Sequence, residues 1–388
     1  MYDVIIIGAG PAGATLARVL AAKYKVLLLD RRPLQAEFGP TEEPDAKRKS
    51  KQAAPSQPLF KEKCCGGLLA PDARAWLTSQ GLNLPAAVLD HAQPNVLRAI
   101  DLSSSLERIY PCPYINLSRS AFEQWLISLV PNTVDKLFNC RCLSIEKIQS
   151  TSAPEFKLVL KQGETRLTRT CHFLIGADGA SSKVRNFLGA APHTATKYLA
   201  VQDTFSVSEK QVLKNPDLLR EYVALFHPAL TDFYGWIIPK GDKLLLGMAL
   251  PPQCLELHDA SKRMAKLEEL LSQAGYAFGN RIKREGCFLL RPSFKDVYLG
   301  ADRAFLIGEA AGWISPSSAE GYSYAFKSAA ALGEAMLKHA DSALMLGAYR
   351  KQTLPLLGNI AYKQLKSLIM FTPRLRQGIM HSGLLAKV

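Results

Sequence analysis

Three apolar runs, far apart in the chain, each end in a glycine turn. Val4–Ile7 leads into Gly8, Phe173–Ile175 into Gly176, and Ala304–Ile307 into Gly308. Unbroken apolar runs of this length, without polar alternation, predict strands buried on both faces of a parallel sheet. After the first run, Pro11 to about Ala22 has helical spacing, and Lys25–Leu29 supplies a second apolar strand that ends in Asp30. The order strand, turn, helix, strand predicts a βαβ unit.

The middle of the chain has a different pattern. Tyr198–Val207, Glu221–Phe226, Tyr234–Pro239 and Lys243–Leu250 are alternating or β-rich and predict an antiparallel sheet. Ala260–Ala274 places Met264, Leu267, Leu270 and Leu271 at helical spacing. From about Ala340 the pattern is helical and basic, with Leu356, Leu357, Ile360, Leu365, Ile369, Met370 and Phe371 among Lys363, Lys366, Arg374 and Arg376. Such a segment either lies on a membrane surface, apolar side down, or packs on its own protein. Arg31–Glu62 breaks every period, includes the basic run Lys47–Gln52, and predicts a polar surface loop. The expected organisation is a discontinuous α/β nucleotide-binding domain (1–91, 115–190, 285–335), a substrate domain (92–114, 191–284) and a basic helical C-terminal region (336–388).

The glycine spacing adds chemistry to this outline. Gly8, Gly10 and Gly13 have the G-x-G-x-x-G order. In a dinucleotide site the first glycine makes the turn, the second lets backbone approach a pyrophosphate, and the third lets the helix pack close. Pro11 and Ala12 open the helix whose N-terminal N–H groups and partial positive charge face the phosphates. Asp30 stands roughly 20 residues on, where a ribose hydroxyl needs an acceptor.

The two later segments, Ile175-Gly176-Ala177-Asp178-Gly179 and Leu306-Ile307-Gly308-Glu309, give the chain a resemblance to the flavoprotein superfamily of aromatic hydroxylases and geranylgeranyl reductases. The resemblance implies FAD. It implies that the Asp178 segment lies by the pyrophosphate and that the Gly308 segment contacts the ribityl chain. Glu309 replaces the Asp usual in that family. Gly312, Pro316 and Gly321 describe a loop bending close to the flavin ring, and the helix from Tyr322 points at it. The stretches Lys63–Ala73 (KCCGGLLAPDA), Tyr114–Leu126, Thr231–Trp236, Phe305–Ala325 and Thr372–Gly383 narrow the resemblance to the CbrA family, a bacterial group related to geranylgeranyl reductases. That resemblance implies Cys65-Gly66-Gly67 beside the isoalloxazine, with Cys65 tuning the flavin or donating a proton. It implies Tyr234, Trp236 and Ile238 on one strand face as an apolar wall over the flavin, and Arg119 at the flavin or its phosphates. Arg31 and Cys142 complete the expected cofactor set.

Composition constrains partners. No apolar run approaches the roughly 20 residues of a spanning helix, and the first strand begins at once, so a cytoplasmic protein is expected. The formal charge of +14 fits an anionic lipid or phosphorylated substrate, or is solubility charge alone. No nucleic-acid motif is visible, and nucleic acid is not expected as a partner. The eight cysteines show no paired metal spacing, Cys140 and Cys142 forming only C-x-C, so no metal is expected.

Three functions remain open. The first is an FAD-dependent reductase of double bonds in an apolar isoprenoid-type substrate, fed by NAD(P)H or another donor. The second is an FAD-dependent monooxygenase of an aromatic substrate. The third is a flavin-binding protein that acts without turnover at the membrane surface.

Overall fold

The computed structural model describes residues 1–33, 64–148, 155–189, 195–207, 216–254 and 257–383. The first part runs β1 (Tyr2–Ile7), α1 (Pro11–Leu20), β2 (Val26–Leu29), β3 (Leu68–Leu69), α2 (Pro71–Ser79), β4 (Val96–Asp101), β5 (Leu106–Pro111) and β6 (Ile115–Asn116). It continues with α3 (Arg119–Ser128), β7 (Asp135–Leu137), β8 (Cys140–Ile148), β9 (Glu155–Gln162), β10 (Thr165–Gly176) and α4 (Lys183–Phe187). Then come β11 (Thr196–Ser206), β12 (Glu221–Phe226), β13 (Gly235–Lys240), β14 (Lys243–Leu250), α5 (Leu257–Gln273) and β15 (Arg281–Arg291). The chain closes with β16 (Gly300–Ala301), β17 (Ala304–Leu306), α6 (Tyr322–Lys338), α7 (Ser342–Gln352), α8 (Leu354–Phe371) and α9 (Pro373–Ser382).

The three apolar runs are neighbours in one sheet, ordered β16-β17-β10-β1-β2-β7. β17, β10, β1, β2 and β7 pair in parallel, so all three glycine turns emerge at the same sheet end. β10 is long enough to serve three partners: its first half pairs antiparallel with β9, its second half joins β1 and β17. Helices α1 and α6 pack side by side, and a Cβ at Gly333 would meet Val19 at 2.6 Å. This is the Rossmann-like layer expected from the sequence.

The second sheet is ordered β15-β11-β14-β13-β12-β4-β5. It departs from the antiparallel expectation at one place, since β12 pairs parallel with β4. β4 comes from a separate early excursion of the chain, and a strand inserted from a distant segment need not alternate direction. One face packs on α5 through Met264, Leu267 and Leu271. The other face carries Tyr198, Tyr222, Phe226, Phe233, Tyr234, Trp236 and Ile238.

Two boundaries shift. β15 pairs with β11 as far as Arg291 opposite Thr196, so 285–291 belongs to the second sheet and not the first. The C-terminal region is no appended tail: Tyr349, Ile360 and Met380 are buried in the cores. The stretch Arg31–Glu62 lies from residue 34 onward outside the described residues, as does its basic run.

Candidate cofactor and substrate site

The first glycine turn is built by close approach. Gly8 has φ +105°, and a Cβ there would strike the Ala177 carbonyl, so only glycine fits between β1 and the Asp178 segment. A Cβ at Gly13 would overlap the Gly8 carbonyl oxygen. Gly10 is the exception, with nothing within 4 Å of its Cβ position. The space beside it is open at the N-terminus of α1, where N–H groups lack helical partners. Gly308, at φ +55°, would place a Cβ 3.0 Å from that of Ala12. Its N–H donates to Ser328 Oγ at 3.0 Å. The three predicted segments therefore interlock around one opening.

At the far edge Asp30 accepts four hydrogen bonds. Oδ2 takes Ala9 N–H at 2.9 Å and an Arg32 guanidinium N–H at 3.0 Å; Oδ1 takes Arg32 N–H at 2.8 Å and Nε–H at 3.1 Å. These fill the lone-pair sites of a carboxylate, so Asp30 orders Arg32 instead of standing ready for a ribose hydroxyl. Arg31, the expected contact, is exposed; the inward-turned residue is Arg32. Arg32 also pairs with Glu123, whose other oxygen takes Arg119 Nε–H at 3.1 Å and the Arg119 terminal N–H at 2.7 Å. Burial works against the Glu123 charge, but Arg119 and Arg32 outweigh it and hold its pKa down at about 2.

Arg119 opens α3 and its guanidinium lies 5.7 Å from the centre of the Tyr322 ring. Tyr322 is buried at the start of α6, and its hydroxyl has no hydrogen-bond partner among the described residues. Burial pushes that hydroxyl far up from its ordinary value, so it stays protonated. A buried O–H without an acceptor is rare in a folded protein and marks a place where a ligand atom belongs. Together with the open side of Gly10 it is the observation that tests the site for a long, polar-edged cofactor, and the residues fit one.

Cys65–Gly67 sits on the strand predicted to face the ring. A Cβ at Gly66 would strike Ile238 Cδ1, and one at Gly67 (φ +67°) would lie 2.8 Å from Lys240 Nζ. Lys240 is itself tied to the Asn116 side chain and to the Leu117 carbonyl at 2.7 Å. Gly67 N–H donates to Cys65 Sγ at 3.4 Å. Cys65 lies within electrostatic reach of Arg119, Tyr322 and Tyr234.

Tyr234, Trp236 and Ile238 lie in one buried cluster, as the alternation predicts. The Tyr234 hydroxyl donates to the Ser318 carbonyl at 2.8 Å, joining the second sheet to the late loop. Trp236 Nε1 donates to Gln202 Oε1 at 3.0 Å, and its indole fills the space a Cβ on Gly247 would need. Phe371 of α8 adds a wall, 4.8 Å from Phe233 and stacked on Tyr234 at 6.4 Å between ring centres. Burial pushes Tyr114 up to about 12, and raises Tyr222 and Tyr234 as well, so these phenols remain neutral donors.

The remaining expected residues have the following surroundings in the fold. Asp178 is half-buried; it accepts Lys183 N–H at 2.7 Å and the hydroxyl of Ser182, the N-cap of α4. Glu309 Oε1 accepts Leu290 N–H at 3.0 Å, while Oε2 lies 3.6 Å from the Cβ position of Gly179. The extra methylene thus lets Glu309 reach β15 while its other oxygen lies beside the Asp178-Gly179 turn. Gly312 has φ +92° against the Asp296 carbonyl, Pro316 is buried, and Gly321 stands at the N-cap of α6. Ala319 in the same loop has φ +52°, a left-handed alanine held by its surroundings. Cys142 is buried on β8, its thiol pushed up to about 11 by burial and directed at the Ser144 carbonyl, with Asp178 and Lys183 reaching it only electrostatically.

Sequence reasoning missed Arg32, Glu123, Gln202 and Phe371. Glu123 had a readable signal, four residues after Arg119 on one helix. Gln202 and Phe371 reach the site through tertiary packing and had none.

No protein-family model matches the chain. Among curated proteins, protein CbrA of Escherichia coli O157:H7 is 36% identical over 386 residues, 99% of this chain and 97% of the relative. Protein CbrA of Shigella sonnei (strain Ss046) is 36% identical over 385 residues, 98% and 97%. Among solved structures, a geranylgeranyl bacteriochlorophyll reductase-like protein from Thermoplasma acidophilum superposes with TM-score 0.75 at 17% identity, over 100% of this chain and 93% of that one. The p-nitrophenol 4-monooxygenase PnpA of Pseudomonas putida DLL-E4 gives TM-score 0.68 at 14% identity, over 100% and 95%. These two share the fold. With more than a third of its residues identical to CbrA proteins along nearly its whole length, the chain belongs to the CbrA family.

Proposed function

We propose that the chain is an FAD-dependent reductase that saturates double bonds of an apolar, isoprenoid-type substrate. FAD, when bound and reduced, would supply the hydride. The α1 N-terminus and the open side of Gly10 receive the pyrophosphate, Arg32 forms the polar border at the adenosine end, and Arg119, held by Glu123, lies between that border and the Tyr322 end of the site. Tyr322 Oη donates to the cofactor's polar edge. The aromatic wall of Phe233, Tyr234, Trp236 and Phe371 excludes water and orients an apolar chain against the ring. Cys65 Sγ gives the proton that balances the hydride and is reprotonated from solvent, while NAD(P)H or another two-electron donor restores the reduced cofactor. The observation that supports the reading is the packing of the Cys65–Gly67 loop on Ile238 and Lys240 of β13, with Arg119 and the Tyr322 hydroxyl, unpartnered among the described residues, within electrostatic reach of Cys65.

A second reading is an aromatic monooxygenase, favoured by the fold shared with PnpA and by a wall of flat rings suited to an aromatic substrate. Fold alone does not separate the two. Rapid mixing of the reduced protein with oxygen does. Direct reoxidation without a transient absorbing species, with consumption of a prenyl lipid under anaerobic conditions, supports the reductase. A long-lived transient together with hydroxylation of an aromatic probe replaces it with the monooxygenase.

A further inference from the structure

Helix α8 is apolar on two sides. One side is occupied: Ile360 and Ser367 are buried, and Met370 and Phe371 pack on the aromatic cluster. The other side carries Leu354, Ala361, Leu365 and Leu368, spaced by seven, four and three residues, with Tyr362 beside them and Leu375 in the first turn of α9. The five large residues of this stripe are 51% to 66% exposed. A helix normally turns one apolar stripe to the core and a polar face outward. A second, contiguous stripe marks a surface that meets something apolar.

Charge decides what that is. After Asp341 the chain has no Asp or Glu, while Arg350, Lys351, Lys366 and Arg374 are exposed around the stripe. A second copy seated stripe to stripe would bring Lys366 and Arg374 of the two copies together, on a segment that holds no Asp or Glu. An anionic lipid surface offers both the apolar layer and the opposite charge. Among the described residues no helix is long and apolar enough to cross a membrane, so the contact is in the plane of the surface. We propose that α8 and the start of α9 lie on an anionic bilayer with Leu354, Ala361, Tyr362, Leu365, Leu368 and Leu375 toward the acyl chains. Phe371, the last residue of α8 and one turn past Leu368, belongs to the wall of the aromatic chamber, so docking sets the chamber beside the lipid. This deepens the proposed function, on which the last step rests, by making the substrate one that resides in the membrane.

The test is co-sedimentation of the FAD-loaded protein with phosphatidylcholine vesicles, with and without phosphatidylglycerol. Binding is expected only to the anionic vesicles, weakening as salt rises. The pair Leu365→Glu and Leu368→Glu is expected to lower the partition at least about tenfold, and Lys366→Glu with Arg374→Glu to do so severalfold. Ile282→Glu, an exposed apolar position on β15, is expected to leave it unchanged. Wild-type protein that stays in solution with anionic vesicles overturns the proposal. So does a dimer, seen by sedimentation velocity, that the Leu365/Leu368 pair dissolves. The flavin absorbance of each fraction keeps the readings apart: vesicle binding by protein that holds no FAD sinks the proposed function and leaves the docking face standing.

Discussion

At the scale of single residues, two side chains make the site's chemistry testable. The Tyr322 hydroxyl is buried without a partner. Removing it relieves an unmet polar group, so Tyr322→Phe is expected to stabilise the cofactor-free protein by about 1 kcal/mol. If the cofactor supplies the missing partner, as proposed, the same change is expected to loosen FAD severalfold. Thermal melts without FAD and a titration with it read the two signs separately; equal FAD affinity removes Tyr322 from the site. Glu123 makes the second prediction. Its pKa lies at about 2 against an ordinary 4.5. A carboxyl held below its unfolded value stabilises the fold above that value and loses the contribution as pH falls. Roughly 3 kcal/mol is therefore expected to vanish between about pH 4.5 and pH 2. In Glu123→Gln the acid limb of a stability-against-pH curve is expected to flatten. Its stability at neutral pH is expected to fall by a similar amount, since Arg119 and Arg32 are left buried without their counter-charge.

At the scale of elements, the turn after β1 separates folding from binding. Gly13 sits against the Gly8 carbonyl and Gly10 faces open space. Gly13→Ala must push α1 off the sheet, at a cost of about 2–3 kcal/mol. Gly10→Ala costs the fold under about 1 kcal/mol yet puts a methyl where the pyrophosphate would lie, so a well-folded, colourless protein is expected. Retention of yellow FAD by Gly10→Ala would remove the pyrophosphate from this turn. These elements were legible in the sequence because each rests on a local rule. An apolar run bounded by glycine is a buried strand, and the spacing of Met264, Leu267 and Leu271 is a helix face. The parallel pairing of β12 with β4 was not legible. It joins segments more than a hundred residues apart, and nothing in Val96–Asp101 states which neighbour, or which direction, the strand will take. The Asp30–Arg32 pairing was hidden for a similar reason. Which of two adjacent arginines turns inward is fixed by the return of the chain through Asn139, whose N–H donates to the Arg32 carbonyl at 2.8 Å.

At the scale of the whole molecule, the C-terminal helices close the structure instead of trailing from it. Tyr349 donates to the Leu306 carbonyl at 2.9 Å and accepts Trp313 Nε1–H at 3.2 Å, which ties α7 to the end of β17 and the late glycine loop. Arg376 of α9 is buried against Asp101 of β4, with both guanidinium contacts between 2.8 and 3.0 Å, which ties the last helix to the second sheet. Charge and period along 340–388 showed a basic amphipathic stretch, but not that its inner side is core to both sheets, because that requires partners drawn from Leu306, Asp101 and Phe233. The consequence is a difference between two ways of removing the region. Deletion from Asp341 onward uncovers Trp313, Leu306 and the aromatic wall together and leaves a buried Asp101 carboxylate unpaired, so loss of soluble, cooperatively folding protein is expected. Arg376→Met removes only the buried charge pair's cation; it is expected to cost roughly 3 kcal/mol, and Asp101→Leu added to it is expected to restore much of that by removing the stranded carboxylate. Urea melts of the two variants check this directly. A double variant as unstable as the single one would mean that Arg376 acts through its packing against the Phe226 ring, 4.8 Å from the guanidinium, and not through its charge.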